Sequence, residues 1–359
     1  MTGDKIVVAI LCGGRSSEHE ISCISAGGIL AAINRDVYEP ILIGITRTAG
    51  RWVLIPADHP LTIVDGVLPT VPEDAPVVNT DIHGFSVNGK ALHVDVIFPM
   101  LHGPYGEDGA IQGFCEIANL PYAGSGVLAS AVAMDKSFAK PIFIAHGMQV
   151  AEGIVITREQ WASNRVACES LLAAFTYPLF VKPARGGSSR GTTKVKTPST
   201  LAQAIEEAHR FDRKALVEEA IDGKEVECGV LEINGQVLTS NPGEIIIDER
   251  FDFYDFESKY LDDMTRVEVP ANIPDSARAE IQRLAALAFT SLGCAGLARV
   301  DFFYRGDGQI VINELNTMPG FTPTSVFPTL WAEKGVSYTK IIDELIKGAL
   351  TRKNGVLGN

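Results

Sequence analysis

The residues best spaced for chemistry in this chain surround Asp307-Gly308, a two-residue turn signal between two β-prone runs. If residues 306 and 309 flank that turn, Asp301 faces Glu314 and Arg299 faces Asn316. Side chains alternate along each strand, so all four share one face. Two carboxylates directly opposite one another repel unless a cation sits between them, and Asn316 adds a neutral oxygen beside them. Hard divalent cations such as Mg²⁺ take oxygen ligands of this kind. A solvated polar face on an exposed hairpin would carry the same residues, and the hairpin by itself leaves both readings open.

A second constellation, Lys182-Pro183-Ala184-Arg185-Gly186-Gly187-Ser188-Ser189-Arg190-Gly191, gathers the glycines, hydroxyls and basic groups of a phosphate cradle. It is not a Walker A loop, which opens a helix, because Thr192 to Val195 reads as a returning strand. A Gly/Ser-rich hairpin loop can also be a plain flexible connection. Lys182 at the end of an apolar strand argues for an anion, since a buried lysine needs one. Near the start, Gly13-Gly14-Arg15-Ser16-Ser17-Glu18 follows a strand and precedes a helix without the Gly-x-Gly-x-x-Gly spacing of dinucleotide sites. It reads as a tight turn, with Glu18 suited to a first helical turn. His102, in His-Gly-Pro-Tyr-Gly-Glu-Asp-Gly, ends an apolar strand, where open α/β sheets place ligands.

The elements that must hold these groups alternate between strand and helix, with no internal repeat. Residues 6–12 are a continuous apolar run of the kind found in parallel sheets buried on both faces. A helix to about residue 33 follows, then strands over 40–46 and 94–100. Residues 50–92, rich in Pro, Gly and Asp, read as loops and short hairpins. From about residue 124, a second unit holds a helix over 129–146, strands at 177–182 and 192–195, and an amphipathic helix over 201–210. A third carries strands near 225–238, an aromatic and acidic loop at 249–263, a helix over 274–292, the hairpin and a last helix over 337–350. The expected fold class is mixed α/β and α+β in three domains: an open α/β domain over 1–123, a small α+β domain over 124–218 and a second α+β domain over 219–359.

The 359 residues carry 31 Lys and Arg against 44 Asp and Glu, a formal charge of −13. Without a long basic block the chain lacks the electrostatic footprint of a nucleic-acid or anionic-membrane binder, and any anion must meet a local cationic pocket. An apolar content of 46% supports sizeable cores. The cysteines, Cys12, Cys23, Cys115, Cys168, Cys228 and Cys294, show neither C-x-x-C nor zinc-ligand spacing and read as buried thiols of a reducing compartment. The apolar start is too short for a signal peptide or span, and the stretch 117–134 is broken by Asn119, Pro121, Gly124 and Gly126. A soluble cytoplasmic protein is expected.

In their order along the chain, these motifs resemble those of the D-alanine–D-alanine ligases of the ATP-grasp superfamily, over essentially its whole length. Further segments carry the resemblance: Pro-Tyr-Ala-Gly-Ser-Gly-Val at 121–127, Met-Asp-Lys at 134–136, Val-Glu-Glu-Ala-Ile at 217–221 and Tyr-Asp-Phe-Glu-Ser-Lys-Tyr at 254–260. Arg-Val-Asp at 299–301 and Asn-Glu-Leu-Asn-Thr-Met-Pro-Gly at 313–320 complete the set. The resemblance implies a three-domain ATP-grasp fold that joins two D-alanines at the expense of ATP, through an acyl phosphate, for peptidoglycan precursors. Another ATP-grasp carboxylate–amine ligase, or one forming D-alanyl-D-lactate, is the alternative.

Position by position, the resemblance puts Lys136, Lys182 and Lys259 on the nucleotide phosphates and Ser188, Ser189 and Gly191 in a loop closing over the γ-phosphate. Glu218 and the Ile221 backbone match adenine-reading positions and Glu225 the ribose carboxylate, with Glu219, Asn313 and Glu314 also in the ATP site. Asp301, Glu314 and Asn316 match ligands of two Mg²⁺ ions, or of Mn²⁺. Glu18 would hold the first D-alanine's ammonium with His102 nearby, Arg299 would steady the reacting carboxyl, and Gly320 and Ser325 would surround the second substrate and oxyanion. Glu18, Ser188, Tyr260, Arg299 and Gly320 form the implied catalytic set. Residues 249–263 would be the lid, and Tyr260, where ester-forming relatives carry phenylalanine, points to the dipeptide. Departures at Arg185-Gly186-Gly187 and Phe256 touch the loop and lid flanks. A cytoplasmic homodimer, contacting through its first domain and without nucleic-acid or membrane partners, is also implied.

Overall fold

The computed structural model describes residues 5–81, 84–247 and 265–352. Strand Ile6–Gly13 lies between the parallel strands Tyr38–Ile45 and Val96–Pro99, with Trp52–Leu54 antiparallel at the edge. Its alternation feeds two cores: Val8, Ile10 and Cys12 join one cluster, Ala9 and Leu11 another. Helix His19–Ala32 covers the first face through Cys23, Ala26 and Ile29. That same face is completed from far along the chain by Phe321, Phe327, Trp331 and helix Tyr338–Thr351, where Asp343 accepts a 2.7 Å hydrogen bond from the Tyr38 hydroxyl. Residues 78–92 form the expected short hairpins, three antiparallel strands Val78–Asp81, Gly84–Val87 and Lys90–Leu92.

A second sheet is antiparallel throughout, in the order Thr193–Val195, Leu179–Pro183, Lys214–Glu219, Gly153–Thr157. Helix Leu201–Phe211 packs on it with Leu201, Ala204, Ile205 and Ala208 buried, the stripe of an amphipathic helix. This core closes among residues 154–217 alone.

The third and largest sheet holds, among the described residues, Thr265–Glu268, Gly243–Ile247, Lys224–Ile233, Leu297–Tyr304, Ile310–Asn316 and Gln149–Val150 in that order, with Gln236–Thr239 beside Lys224–Ile233. Helix Asp275–Ser291 covers it through Ile281, Ala285, Ala288 and Phe289. The helix expected over 129–146 is two helices, Val127–Met134 and Lys136–Ala145. Asp135 leaves helical geometry at φ −98°, ψ 98°, and its carboxylate caps the Ser137 N–H at 3.0 Å, restarting the helix at Lys136. Ala133, Ala139, Phe143 and Met148 share a core with Val300 and Phe302, so this stretch packs on the large sheet rather than on the four-stranded one.

Candidate active site

The carboxylate hairpin is displaced at its tip and correct at its base. Arg305 N–H donates to the Gln309 carbonyl and Gly308 N–H to the Arg305 carbonyl, both at 2.9 Å, which leaves a loop over 306–308 with Gly308 at φ 86°. Phe302 therefore pairs with Ile312, one step off the expected register. A bulge next to Asp301 absorbs the difference, and Asp301 pairs with Glu314 and Arg299 with Asn316, as the sequence predicts. The extra residue lets Ile312 and Leu315 both face the core while Asn313 and Glu314 both line a cleft.

On its other edge, Leu297–Tyr304 pairs with Lys224–Ile233, which sets Glu227 beside Asp301. Arg299 spans the row: its Nε lies 2.8 Å from Asp301 Oδ1 and 2.9 Å from Glu227 Oε2, and its Nη2 lies 2.7 Å from Asp301 Oδ2. The Asn316 amide donates to Asp301 Oδ2 at 3.1 Å, and Lys136 Nζ lies 2.8 Å from Glu314. Asp301 and Glu314 with the Asn316 carbonyl oxygen offer hard oxygens on one face. Among the described residues no three His, Cys, Asp or Glu side chains converge on one point. The oxygens of Asp301, Glu314 and Asn316 are of the kind Mg²⁺ takes, usually from one or two carboxylates while substrate phosphates and water complete its shell.

A cleft lies beside this hairpin. Lys136, Lys182, Ser188, Ser189, Glu218, Glu219, Ile221, Glu225, Asn313 and Glu314 all line it, so the described members of the nucleotide set come together. The Gly/Ser loop roofs it. Its base is pinned by Arg185, whose Nη2 and Nε donate to Asp212 at 2.6 and 3.1 Å, and Lys136 Nζ reaches the Gly186 carbonyl at 3.0 Å. Ser188 and Ser189 hold φ of 48° and 55°, a left-handed backbone that costs energy outside glycine and is typical of ligand clamps. Lys182 Nζ binds Glu218 Oε1 and, at 3.2 Å, Asn313 Oδ1.

A second pocket opens on the far side of Ser188 and Glu314 and collects Glu18, His102, Arg299, Gly320 and Ser325. Glu18 stands where helix His19–Ala32 begins but makes no capping bond; it accepts a hydrogen bond from the Ser188 hydroxyl instead. Gly103, at φ +73°, is required here: a Cβ would stand 2.7 Å from Glu18 Oε2 and 2.8 Å from Ser16 Oγ. His102 is buried, with Ser25 Oγ and the Met318 carbonyl each 3.2 Å from its ring nitrogens, and burial holds the imidazole below its ordinary range. Ser325 Oγ lies 2.8 Å from Thr322 Oγ1 and accepts from Thr322 N–H at 3.0 Å. Lys259, Tyr260, Phe256 and the expected lid 249–263 lie outside the described residues.

Three site residues escaped the sequence reading. Glu227 is one; its cue is period-2 placement between the buried Val226 and Cys228. Lys140 is another, one turn after Lys136, with its Nζ 2.7 Å from Glu218 Oε2. Glu107 is the third: it accepts from Gly103 N–H at 2.8 Å, and burial, with the charge of Glu18, pushes its carboxyl up to about 8. Glu218 goes the other way. Burial alone would raise it, but the Lys140 and Lys182 ammoniums hold it at about 2.

A four-stranded antiparallel sheet and a larger sheet closing on a lysine-lined cleft, with paired carboxylates on the inner hairpin, define an ATP-grasp ligase. The family model described as D-ala D-ala ligase C-terminus matches residues 142–347, and that described as D-ala D-ala ligase N-terminus matches 7–125. The chain belongs to the D-alanine–D-alanine ligase family. It is 47% identical to the D-alanine–D-alanine ligase of Pseudarthrobacter chlorophenolicus over 97% of this chain and 95% of that protein. It is 44% identical to that of Mycobacterium leprae over 99% and 96%. Among solved structures, the VanG D-Ala:D-Ser ligase from Enterococcus faecalis superposes with a TM-score of 0.83 at 35% identity, covering 96% of this chain and 99% of that one. The D-alanine–D-alanine ligase from Coxiella burnetii gives 0.82 at 32%, covering 97% and 94%.

Proposed function

We propose that this protein joins two D-alanines into D-alanyl-D-alanine, with ATP converted to ADP and phosphate, as a step in making peptidoglycan precursors. The observation that carries this reading is that the lysine-lined cleft and the carboxylate-rich pocket lie on either side of Ser188 and Glu314, which line both. A phosphoryl group delivered from one side meets a carboxylate held on the other.

A carboxylate is a poor electrophile, and phosphorylation gives it a leaving group. In this reading Glu18, steadied by Ser188, binds the ammonium of the first D-alanine and fixes its carboxylate near Arg299. A carboxylate oxygen attacks the γ-phosphorus, the bond to the bridging oxygen breaks, and ADP departs. Lys136 and Lys182 balance the phosphate charge as it shifts. The amine of the second D-alanine, placed near Gly320 and Ser325, then attacks the acyl carbon; phosphate leaves and the amine loses a proton. Asp301, Glu314 and Asn316 would hold two Mg²⁺ ions, or Mn²⁺, which when bound offset charge on the transferring phosphoryl group. Glu218, Glu219 and Ile221 would face adenine, Glu225 the ribose, and Asn313 the phosphate end.

A homodimer contacting through the first domain and a cytoplasmic location complete the proposal. No helix among the described residues is long and apolar enough to cross a membrane. The test is purified protein with ATP, Mg²⁺ and D-alanine: phosphate and D-alanyl-D-alanine should appear together. No release with D-alanine, alongside turnover with D-serine or D-lactate as the second substrate, would replace the assignment with a neighbouring one.

A further inference from the structure

We propose that Lys140 is the positioning residue for nucleobase recognition: it fixes one oxygen of Glu218 so that the other is presented to the 6-amino group of adenine. The inference rests on the reading of Glu218 as the adenine-facing carboxylate.

The geometry divides the two oxygens of Glu218 between two lysines. Lys140 Nζ lies 2.7 Å from Oε2, and Lys182 Nζ contacts Oε1. The two cations are not equivalent. Lys182 lines the cleft, is shared with Asn313 at 3.2 Å, and is free to turn towards an incoming phosphate chain. Lys140 does not line the cleft; it rises from helix Lys136–Ala145 one turn beyond Lys136 and meets Glu218 from behind. Its side chain is 8% exposed and that of Glu218 5%, so neither can exchange its partner for bulk water.

Binding a nucleotide therefore has an asymmetric outcome. When Lys182 moves to the phosphates, Oε1 of Glu218 loses its cation while Oε2 keeps Lys140. A buried carboxylate with no cation would take up a proton. With Lys140 in place it stays ionised, its free oxygen a pure acceptor. An exocyclic amine satisfies that oxygen, whereas a 6-oxo base sets lone pair against lone pair. Burial, with the charges of Lys182 and Lys136 nearby, holds the Lys140 ammonium below its ordinary range, and Glu218 is the group that pulls it back up. Lys140 thus acts through Glu218 rather than on the ligand.

The experiment compares ATP with ITP, which carries an oxygen in place of the 6-amino group, in wild type, Lys140→Met and Lys140→Arg, with D-alanine saturating. Lys140→Met should raise KM for ATP about tenfold while kcat stays within about threefold, and the preference for ATP over ITP should fall by a similar factor. Lys140→Arg should recover most of both. Thermal melting establishes that the variants are folded; should the Met variant not fold, Lys140→Gln carries the same expectation. A folded Met or Gln variant with wild-type KM and wild-type ATP preference overturns the proposal. A wild type that does not itself prefer ATP over ITP overturns the reading of Glu218 and this inference with it, which separates the two failures.

Discussion

The two pockets that meet at Ser188 and Glu314 follow opposite electrostatic plans. In the nucleotide cleft the buried carboxylates already have cations: Glu314 has Lys136, Glu218 has Lys140 and Lys182, and Glu227 has Arg299. In the amino-acid pocket, no Lys or Arg among the described residues is ion-paired with Glu18 or Glu107, and Arg299 is already engaged by Asp301 and Glu227. The difference shows in the two titrations, Glu218 held at about 2 and Glu107 pushed up to about 8. A polyanion entering the first pocket replaces carboxylates as the partner of ready cations. In the proposed reaction a zwitterion entering the second would bring its own ammonium to Glu18, which no described Lys or Arg pairs. Within a chain of charge −13, Lys136 and Lys182 are thus both set in the cleft proposed to take the nucleotide.

The hardest blow to this contrast is at one of the two residues both pockets share. Glu314→Ala should lower kcat on the order of 10³-fold or more, by the scale of removing a group aimed at transition-state charge, while melting stays near wild type. Near-wild-type phosphate release from that variant would remove the hairpin carboxylate from the chemistry. Next comes Arg299→Met, which removes the guanidinium lining the amino-acid side, expected to cost about 10²-fold in kcat and to leave ATP binding nearly intact. An equal loss in ATP affinity would show that Arg299 belongs to the cleft instead. Ser188→Ala, which frees Glu18, should raise KM for the first D-alanine roughly tenfold, the scale of a hydrogen bond to a charged group. Steady-state kinetics at saturating ATP reads it, and an unchanged KM would uncouple the loop from the pocket.

The smallest effect concerns pH. Glu107 in the folded protein keeps its proton to about pH 8, against an ordinary value of 4.5, so its contribution to stability is full below 4.5 and is lost as pH rises through 8. Glu218 is its mirror image, contributing above 4.5 and losing that contribution as pH falls towards 2. Glu107→Gln should therefore melt a few degrees above wild type at pH 8.5 and level with it near pH 4.5, in protein free of nucleotide. A gain that does not change with pH would mean that Glu107 is not the buried acid described.

Elements with strong periodicity were legible before any coordinates. The strand at 6–12, the helix at 201–210 and the facing of Asp301 with Glu314 all follow from local pattern, because side-chain period and burial agree there. The hairpin shows the limit. The turn holds one residue more than its Asp-Gly signal suggests, and the bulge beside Asp301 restores the register, a compensation between two places that no local rule links. The split at Asp135 carried its own cue, a residue suited to an N-cap before Lys136. Glu107, Lys140 and Glu227 stayed hidden for a different reason: each matters through a partner distant in sequence, Glu18, Glu218 and Arg299, which only packing brings near.

One consequence of the shared first core lies in the order of synthesis. The cluster containing Val8 and Ile10 also contains Phe321, Phe327, Ile341 and Leu345, so its apolar surface is complete only after more than three hundred further residues have been made. The four-stranded sheet, whose core closes within residues 154–217, has no such wait. As the chain leaves the ribosome, the central unit can therefore fold first, while the opening strand keeps one apolar face uncovered until helix Tyr338–Thr351 arrives. Loss of that helix should cost the beginning of the chain its solubility before it costs the middle its shape.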